Sequence, residues 1–247
     1  MKVTVLGYLG GFPYQNKGTS SYLLESDGYH LLLDAGSASL VALEKVVDPL
    51  TLDAVILSHY HHDHIADLGV LQYYRQLMPR GKQQVPILPI YGHTEDAFHF
   101  NDLTMKGISQ GYPYKESDCI TVGPFEITFM RTIHPVPCFA MRFKEKKSGK
   151  IFVFTGDSGY LEGFKEFARE ADVFMADTYL FEGNEKHHAH FTSKESGEIA
   201  YAADVKKLVL THLPQTGDLQ LLKIQAEEAS QHQIPVILAD THLVLEI

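Results

Sequence analysis

Residues 53–64 read Asp-Ala-Val-Ile-Leu-Ser-His-Tyr-His-His-Asp-His. The apolar run Ala54–Leu57 leads straight into four imidazoles and a carboxylate. Such a run reads as a buried strand, a rigid platform for whatever follows it. On an extended chain, alternate side chains point to the same side, so His59 and His61 can share one metal ion. Asp63 and His64 fall on the turn that enters a helical pattern, Leu68–Leu77, and can reach a second ion. A donor set of imidazoles and carboxylates suits Zn²⁺ and the other borderline divalent ions. The alternative is a solvated histidine-rich turn. The length and order of His-x-His-x-Asp-His directly after a strand argue against it.

Outward from this segment, short apolar runs rich in β-branched residues recur on both sides. They include Val3–Leu6, Tyr22–Leu24, His30–Leu33, Ile87–Tyr91, Phe125–Met130, Phe139–Phe143, Ile151–Phe154, Val173–Met175, Leu208–Leu210 and Val236–Leu238. These predict strands. Helical patterns lie between them at Leu40–Val47, Leu161–Ala168, Ser193–Ala203 and Leu219–His232, and Thr192 with Glu195 has the form of a capping box. Hairpin-like neighbours beside βα units suit two mixed sheets packed face to face with helices outside, an α/β arrangement of four layers. A single open sheet fits the pattern too. No linker or repeat divides the chain, so residues 1–247 are expected to form one domain.

The 247 residues carry a formal charge of −10, fourteen histidines and two cysteines, Cys119 and Cys138. Nonspecific nucleic-acid binding draws its affinity from Lys and Arg on phosphates, so this balance speaks against it. Two cysteines make neither a disulfide framework nor a paired-cysteine metal site. No apolar run reaches the ~18 residues of a membrane span, and the first residues lack the features of a signal peptide. The expected location is cytoplasmic, with no membrane partner.

The 53–64 segment resembles the signature of the metallo-β-lactamase superfamily, which implies an αβ/βα sandwich with a dinuclear metal site between the sheets. The resemblance implies further ligands. His134, after the strand Phe125–Met130, matches the third ligand of the first metal. Asp157, in Thr155-Gly156-Asp157-Ser158, matches the carboxylate bridging both ions, and His212, in Leu210-Thr211-His212-Leu213, completes the second set. With His59, His61, Asp63 and His64 this fills all seven ligand positions. Asp34, in Leu33-Asp34-Ala35-Gly36, fits as a group behind the ligands. His30, His93, His99, His232 and His242 read as surface or packing residues, with His93 set apart by following a strand end.

Within that superfamily, Ala189–Leu213 and the glycine-rich start Val5–Gly11 are similar to the ribonuclease Z branch. His190 falls on that branch's catalytic His, and Asp177 falls where the branch has a Glu. A His is wanted there because phosphodiester cleavage leaves an alkoxide that needs a proton; Asp63 would orient the attacking water. Two departures stand out. Only the 22 residues 135–156 separate His134 from Asp157, too few for the branch's long tRNA-gripping arm, and residues 13–18 lack its basic loop. The resemblance therefore implies two divalent ions per chain (Zn²⁺, with Mn²⁺ or Fe²⁺ as alternatives) and a homodimer. It implies hydrolysis of small or flexible phosphodiesters, such as a nucleotide or an RNA 3′ end. The competing expectations are a thioester, lactone or β-lactam hydrolase, diiron redox chemistry, and a non-catalytic nucleic-acid-binding domain.

Overall fold

The computed structural model describes residues 1–79 and 84–247. Its fourteen strands form two seven-stranded sheets. The first holds β1 (Lys2–Gly7), β2 (Ser21–Ser26), β3 (Tyr29–Leu33), β4 (Ala54–Ile56), β5 (Leu88–His93) and β6 (Ser109–Tyr114) in chain order. The second holds β7 (Cys119–Val122), β8 (Phe125–Arg131), β9 (Phe139–Glu145), β10 (Ile151–Phe154), β11 (Val173–Asp177), β12 (Leu208–Thr211) and β13 (Val236–Leu238), again in order. The last strand, β14 (Val244–Glu246), returns to pair with β1. Each sheet begins antiparallel and turns parallel, at β3/β4 in the first and β10/β11 in the second. Among the described residues there are seven α-helices: α1 (Ser39–Leu43), α2 (His62–Ile65), α3 (Leu68–Leu77), α4 (Ala97–Asp102), α5 (Phe164–Phe167), α6 (Ser193–Ala202) and α7 (Leu219–Ala229).

The strands of the first sheet are apolar on both faces because both faces are covered. Along β2, β3 and β4, Tyr22, Leu24, Leu31, Leu33, Ala54 and Ile56 point into the core between the sheets. Their neighbours Leu23, Leu32, Val55 and Leu57 point outward, against Leu43 of α1 and Leu68 and Leu71 of α3. The one-residue alternation of a strand thus feeds two cores at once. Aromatic pairs close the inner core: Tyr22 meets Phe154 at 5.1 Å, and Tyr114 stacks on Phe129 at 4.1 Å. On the outside of the second sheet, Phe164, Ile199, Leu222 and Ala226 bury the helical layer of α5, α6 and α7. The outcome is the expected sandwich of two mixed sheets between helices, not the single open sheet.

Differences from the sequence expectations have local causes. The strand β6, Ser-Gln-Gly-Tyr-Pro-Tyr, carries none of the β-branched residues that mark strands, and Pro113 is tolerated because β6 is an edge strand. The strands β7 and β14 are short edges as well. The pattern Leu40–Val47 stays helical only to Leu43, ahead of Pro49. The pattern Leu161–Ala168 narrows to Phe164–Phe167, and the last helix ends at Ala229 because Gln231 and His232 adopt left-handed backbone conformations. Among the described residues, no helix is long and apolar enough to cross a membrane.

Candidate metal centre

The chain ends of β3, β4, β8, β10, β11 and β12 lie at one rim of the sandwich, since these strands run the same way within their sheets. Every site residue expected from the sequence hangs from one of them except His190, which lies in the segment just before α6. Asp34 follows β3. His59 and His61 follow β4, and Asp63 and His64 sit on the one-turn helix α2 rather than on a turn. His134 follows β8, Asp157 follows β10, Asp177 ends β11, and His212 follows β12. Asp34 and His212 leave their strands with φ of 56° and 52°, left-handed geometry that costs a non-glycine residue energy.

Two donor groups of four result, and a third of three, Asp177, His190 and His212, adjoins them. His59, His61, His134 and Asp157 place one ligand atom each within 4.8 Å of one another, and so do Asp63, His64, Asp157 and His212. Asp157 belongs to both. Its Oδ2 stands 3.7 Å from His59 Nε2 and 3.8 Å from His134 Nε2, and its Oδ1 stands 3.2 Å from His64 Nε2. On the first side, His61 Nδ1 is 3.2 Å from His59 Nε2 and 2.9 Å from His134 Nε2. On the second, His212 Nε2 is 3.1 Å from Asp63 Oδ2.

Several ring nitrogens turned away from the cluster are held by protein groups. His64 Nδ1 donates to Asp34 Oδ2 at 2.7 Å, which leaves Nε2 as the lone-pair atom facing the centre. His134 Nδ1 donates to the Ala189 carbonyl at 3.2 Å. Asp34 is itself fixed by the Ser58 N–H at 2.7 Å and hydroxyl at 2.8 Å. Asp63 Oδ2 accepts from the Gly11 N–H at 2.7 Å, so the glycine-rich start closes over the site. Gly10 leaves the space that His212 and Tyr179 fill; a Cβ there would lie 2.6 Å from the His212 ring.

The donor chemistry fits divalent cations. His64 Nε2 and Asp157 Oδ1 are buried without a hydrogen-bond partner. Asp34, Asp63, Asp157 and Asp177 are all buried, and only imidazoles form ion pairs with them among the described residues. A buried carboxylate cluster requires positive charge. Burial works against charge on Asp157, yet the imidazoles of His212, His64 and His59 hold its carboxyl well below the ordinary range. His64 is pushed the other way: burial opposes its charge, and Asp157, Asp34 and Asp63 more than offset that. On the first side burial dominates, and it holds His59 low and brings His134 down to about 4, so both are neutral and ready to ligate.

Beyond the two groups, His190 Nδ1 lies 2.9 Å from Asp177 Oδ2, and that carboxylate is fully buried. Asp177 also takes the Ser158 N–H at 3.1 Å and stands 3.4 Å from His212 Nδ1. Burial opposes a charge on His190, but Asp177 raises its pKa above the ordinary value. The His190 ring packs 5.6 Å from His134 and 5.2 Å from His212. Two further rings adjoin His190: Tyr179, whose ring lies 5.1 Å from that of His190, and His187, stacked on it at 5.9 Å. No sequence signal marks Tyr179, whereas His187 sits in an exposed histidine-rich turn that reads as surface. His30, His99, His232 and His242 lie outside the centre. His93 is buried, 1 % exposed, with both ring nitrogens unpartnered.

A family model described as the beta-lactamase superfamily domain matches residues 29–213. The “Probable metallo-hydrolase YhfI” of Bacillus subtilis is 42% identical over 237 residues, 96% of each chain. Its crystal structure covers all of this chain and 98% of its own, with a TM-score of 0.93. “Ribonuclease Z” of Bacillus mycoides is 24% identical over 306 aligned positions, covering 95% of this chain and 96% of its own. The short form of human tRNase Z shares the fold at a TM-score of 0.76 and 22% identity, covering 100% of this chain and 99% of its own.

Proposed function

The chain belongs to the metallo-β-lactamase superfamily and is a metallo-hydrolase of that fold, and from that premise we propose that it hydrolyses phosphodiester bonds in small or flexible nucleotide substrates. The observation that carries this reading is the His190–Asp177 pair beside the metal centre, 2.9 Å between Nδ1 and Oδ2. The kinship with ribonuclease Z supports it.

In this reading His59, His61, His134 and Asp157 hold one divalent ion, and Asp63, His64, Asp157 and His212 hold a second, with zinc as the expected metal. Such ions supply Lewis acidity, lowering the pKa of water and polarising phosphoryl oxygens. Asp63, anchored by the Gly11 N–H, orients the attacking water through its remaining lone pairs. His190 presents Nε2, because Nδ1 donates to Asp177, and Asp177 stabilises the imidazolium form. Hydrolysis breaks the bond from phosphorus to the leaving oxygen and forms one to the water oxygen. The proton that His190 gives to the leaving alkoxide is regained when the water's proton is released. Asp34 acts only through His64 and is a positioning residue. The same reading takes residues 1–247 as one domain and, from the ribonuclease Z resemblance, the protein as a homodimer.

The test is a turnover screen of the zinc-loaded protein on bis-p-nitrophenyl phosphate, cyclic nucleotides, a tRNA precursor, a thioester and a β-lactam. Turnover of diesters well above the thioester and lactam is expected. Turnover confined to the thioester or the lactam would overturn the reading.

A further inference from the structure

Beside His61 opens a hollow of about 170 Å³, lined by Tyr60, His93, Asp96, His99, Val136 and Pro137. His62 lines it as well, and apart from its edge at His61 nothing in it belongs to the metal centre. Its walls come from the ends of β4, β5 and β8, the same rim that carries the ligands, and from the start of α4.

The polar groups of this hollow are unevenly spent. Tyr60 donates its hydroxyl to the His93 carbonyl at 2.7 Å, so it offers only its ring. Asp96 caps α4 through the His99 N–H and takes His99 Nδ1 at 2.7 Å, which fixes an anion at the rim and disfavours a second phosphate there. His93 is different. Its ring tilts against Tyr60 at 4.4 Å, and neither nitrogen has a hydrogen-bond partner of full geometry, although the Pro137 backbone comes near enough to favour its protonated form slightly. Native interiors seldom leave such groups unmatched. Burial holds His93 neutral, with its pKa brought down to about 4. A neutral imidazole offers one N–H donor and one lone pair. The hollow therefore favours a flat, uncharged ring that has its own donor and acceptor edge. Its volume lies below the roughly 300–1,000 Å³ of pockets that enclose a drug-sized ligand, so it admits a ring system and not a whole nucleotide.

We propose that this hollow is a base subsite: it takes the nucleobase of a nucleotide whose phosphate lies at the metal centre, with His93 hydrogen-bonding the edge of the base. The proposal rests on the phosphodiester reading above and deepens it by making the base a determinant of recognition.

Two probes that differ only in the base decide the matter. Adenosine 5′-monophosphate and ribose 5-phosphate are titrated into zinc-loaded wild type, His93→Phe and Val136→Phe, with melting temperatures as the check on folding. His93→Phe keeps a ring and removes the nitrogens, whereas Val136→Phe fills the hollow from its partly exposed rim. The ratio of the two Kd values in wild type should favour the nucleotide by roughly ten- to a hundredfold, the range a stacked base contributes. That ratio should collapse toward one in every folded variant. Equal affinities in wild type, or a ratio that survives both substitutions, would overturn the subsite. Because the readout is binding, a base preference without any diester turnover would leave the subsite standing and remove the catalytic reading. Diester turnover without a base preference would do the reverse.

Discussion

At the scale of the residue, His64 and His134 each turn one ring nitrogen inward and have the other held by a protein oxygen. Asp34 shows how much rests behind the ligands. It touches no other donor of the cluster than His64, yet it fixes that ring's tautomer from a buried, left-handed position. His59→Ala or His134→Ala should empty mainly the first site, and His64→Ala or His212→Ala mainly the second, against close to two ions per chain in wild type. Asp34→Asn should weaken the second site by roughly 10–100-fold. Metal analysis by plasma mass spectrometry checks all five variants, and unchanged stoichiometry throughout would refute the assignment. His190 lies outside both sets, so His190→Ala should keep both ions while kcat falls by roughly 10²–10⁴. The penalty should shrink for p-nitrophenolate, which leaves without needing a proton. Asp177→Ala should repeat that dependence with a smaller drop. Equal penalties for poor and good leaving groups would remove His190 as the acid.

At the scale of the element, the position of His190 depends on the start of α6. Thr192 Oγ1 accepts the Glu195 N–H at 3.1 Å, and Glu195 returns a carboxylate oxygen to the Thr192 N–H at 2.9 Å. The other Glu195 oxygen takes the Lys186 N–H at 2.8 Å, tying the histidine-rich turn to the same cap. Leu180 and Phe191 pair their backbones alongside, which sets His190 against Asp177. Thr192→Ala should cost about 1 kcal/mol and lower kcat for poor leaving groups, whereas Thr192→Ser should restore both. Thermal melts and kinetics read the two effects separately. This box was legible in the sequence, as were most strands and the side chains that gather into the donor groups, because each rests on local order: a cap and its reciprocal residue, or an apolar run followed by a polar one. What was not legible depends on partners distant in the chain. The strand β6 exists because β5 offers it an edge, not because Gly111 and Pro113 favour a strand. The one-turn helix α2 is too short to show a period. Tyr179 and His93 gain their places only once the sheets face each other: nothing beside Tyr179 in the sequence marks it, and for His93 the strand end before it is the one local sign.

At the scale of the molecule, two facts bear on which substrates reach the centre. The chain carries a charge of −10, so the surface at large offers polyanions no general attraction. The 22 residues 135–156, where the ribonuclease Z resemblance leads one to look for an arm, are spent inside the second sheet. They hold β9 and β10, paired from Ile151 with Lys144 to Phe154 with Met141, joined by a turn at Lys146–Lys150. The chain has no spare length there to reach along an RNA. Attraction must instead come from the rim of the sandwich, over the reach of one phosphate and its substituents. Charge contacts spread over a long RNA would lose affinity steeply as salt rises, whereas a single phosphate at a buried centre loses much less. At physiological salt, kcat/KM for small diesters such as cyclic nucleotides or bis-p-nitrophenyl phosphate should exceed that for a structured tRNA precursor. Raising the salt should change the small-substrate value only a few-fold. Steady-state kinetics across a salt series measures both. A tRNA precursor preferred over every small diester by several orders of magnitude would mean that some surface of this acidic chain grips RNA after all. Slow trailer removal would not, because a flexible 3′ end is itself a small diester to this site.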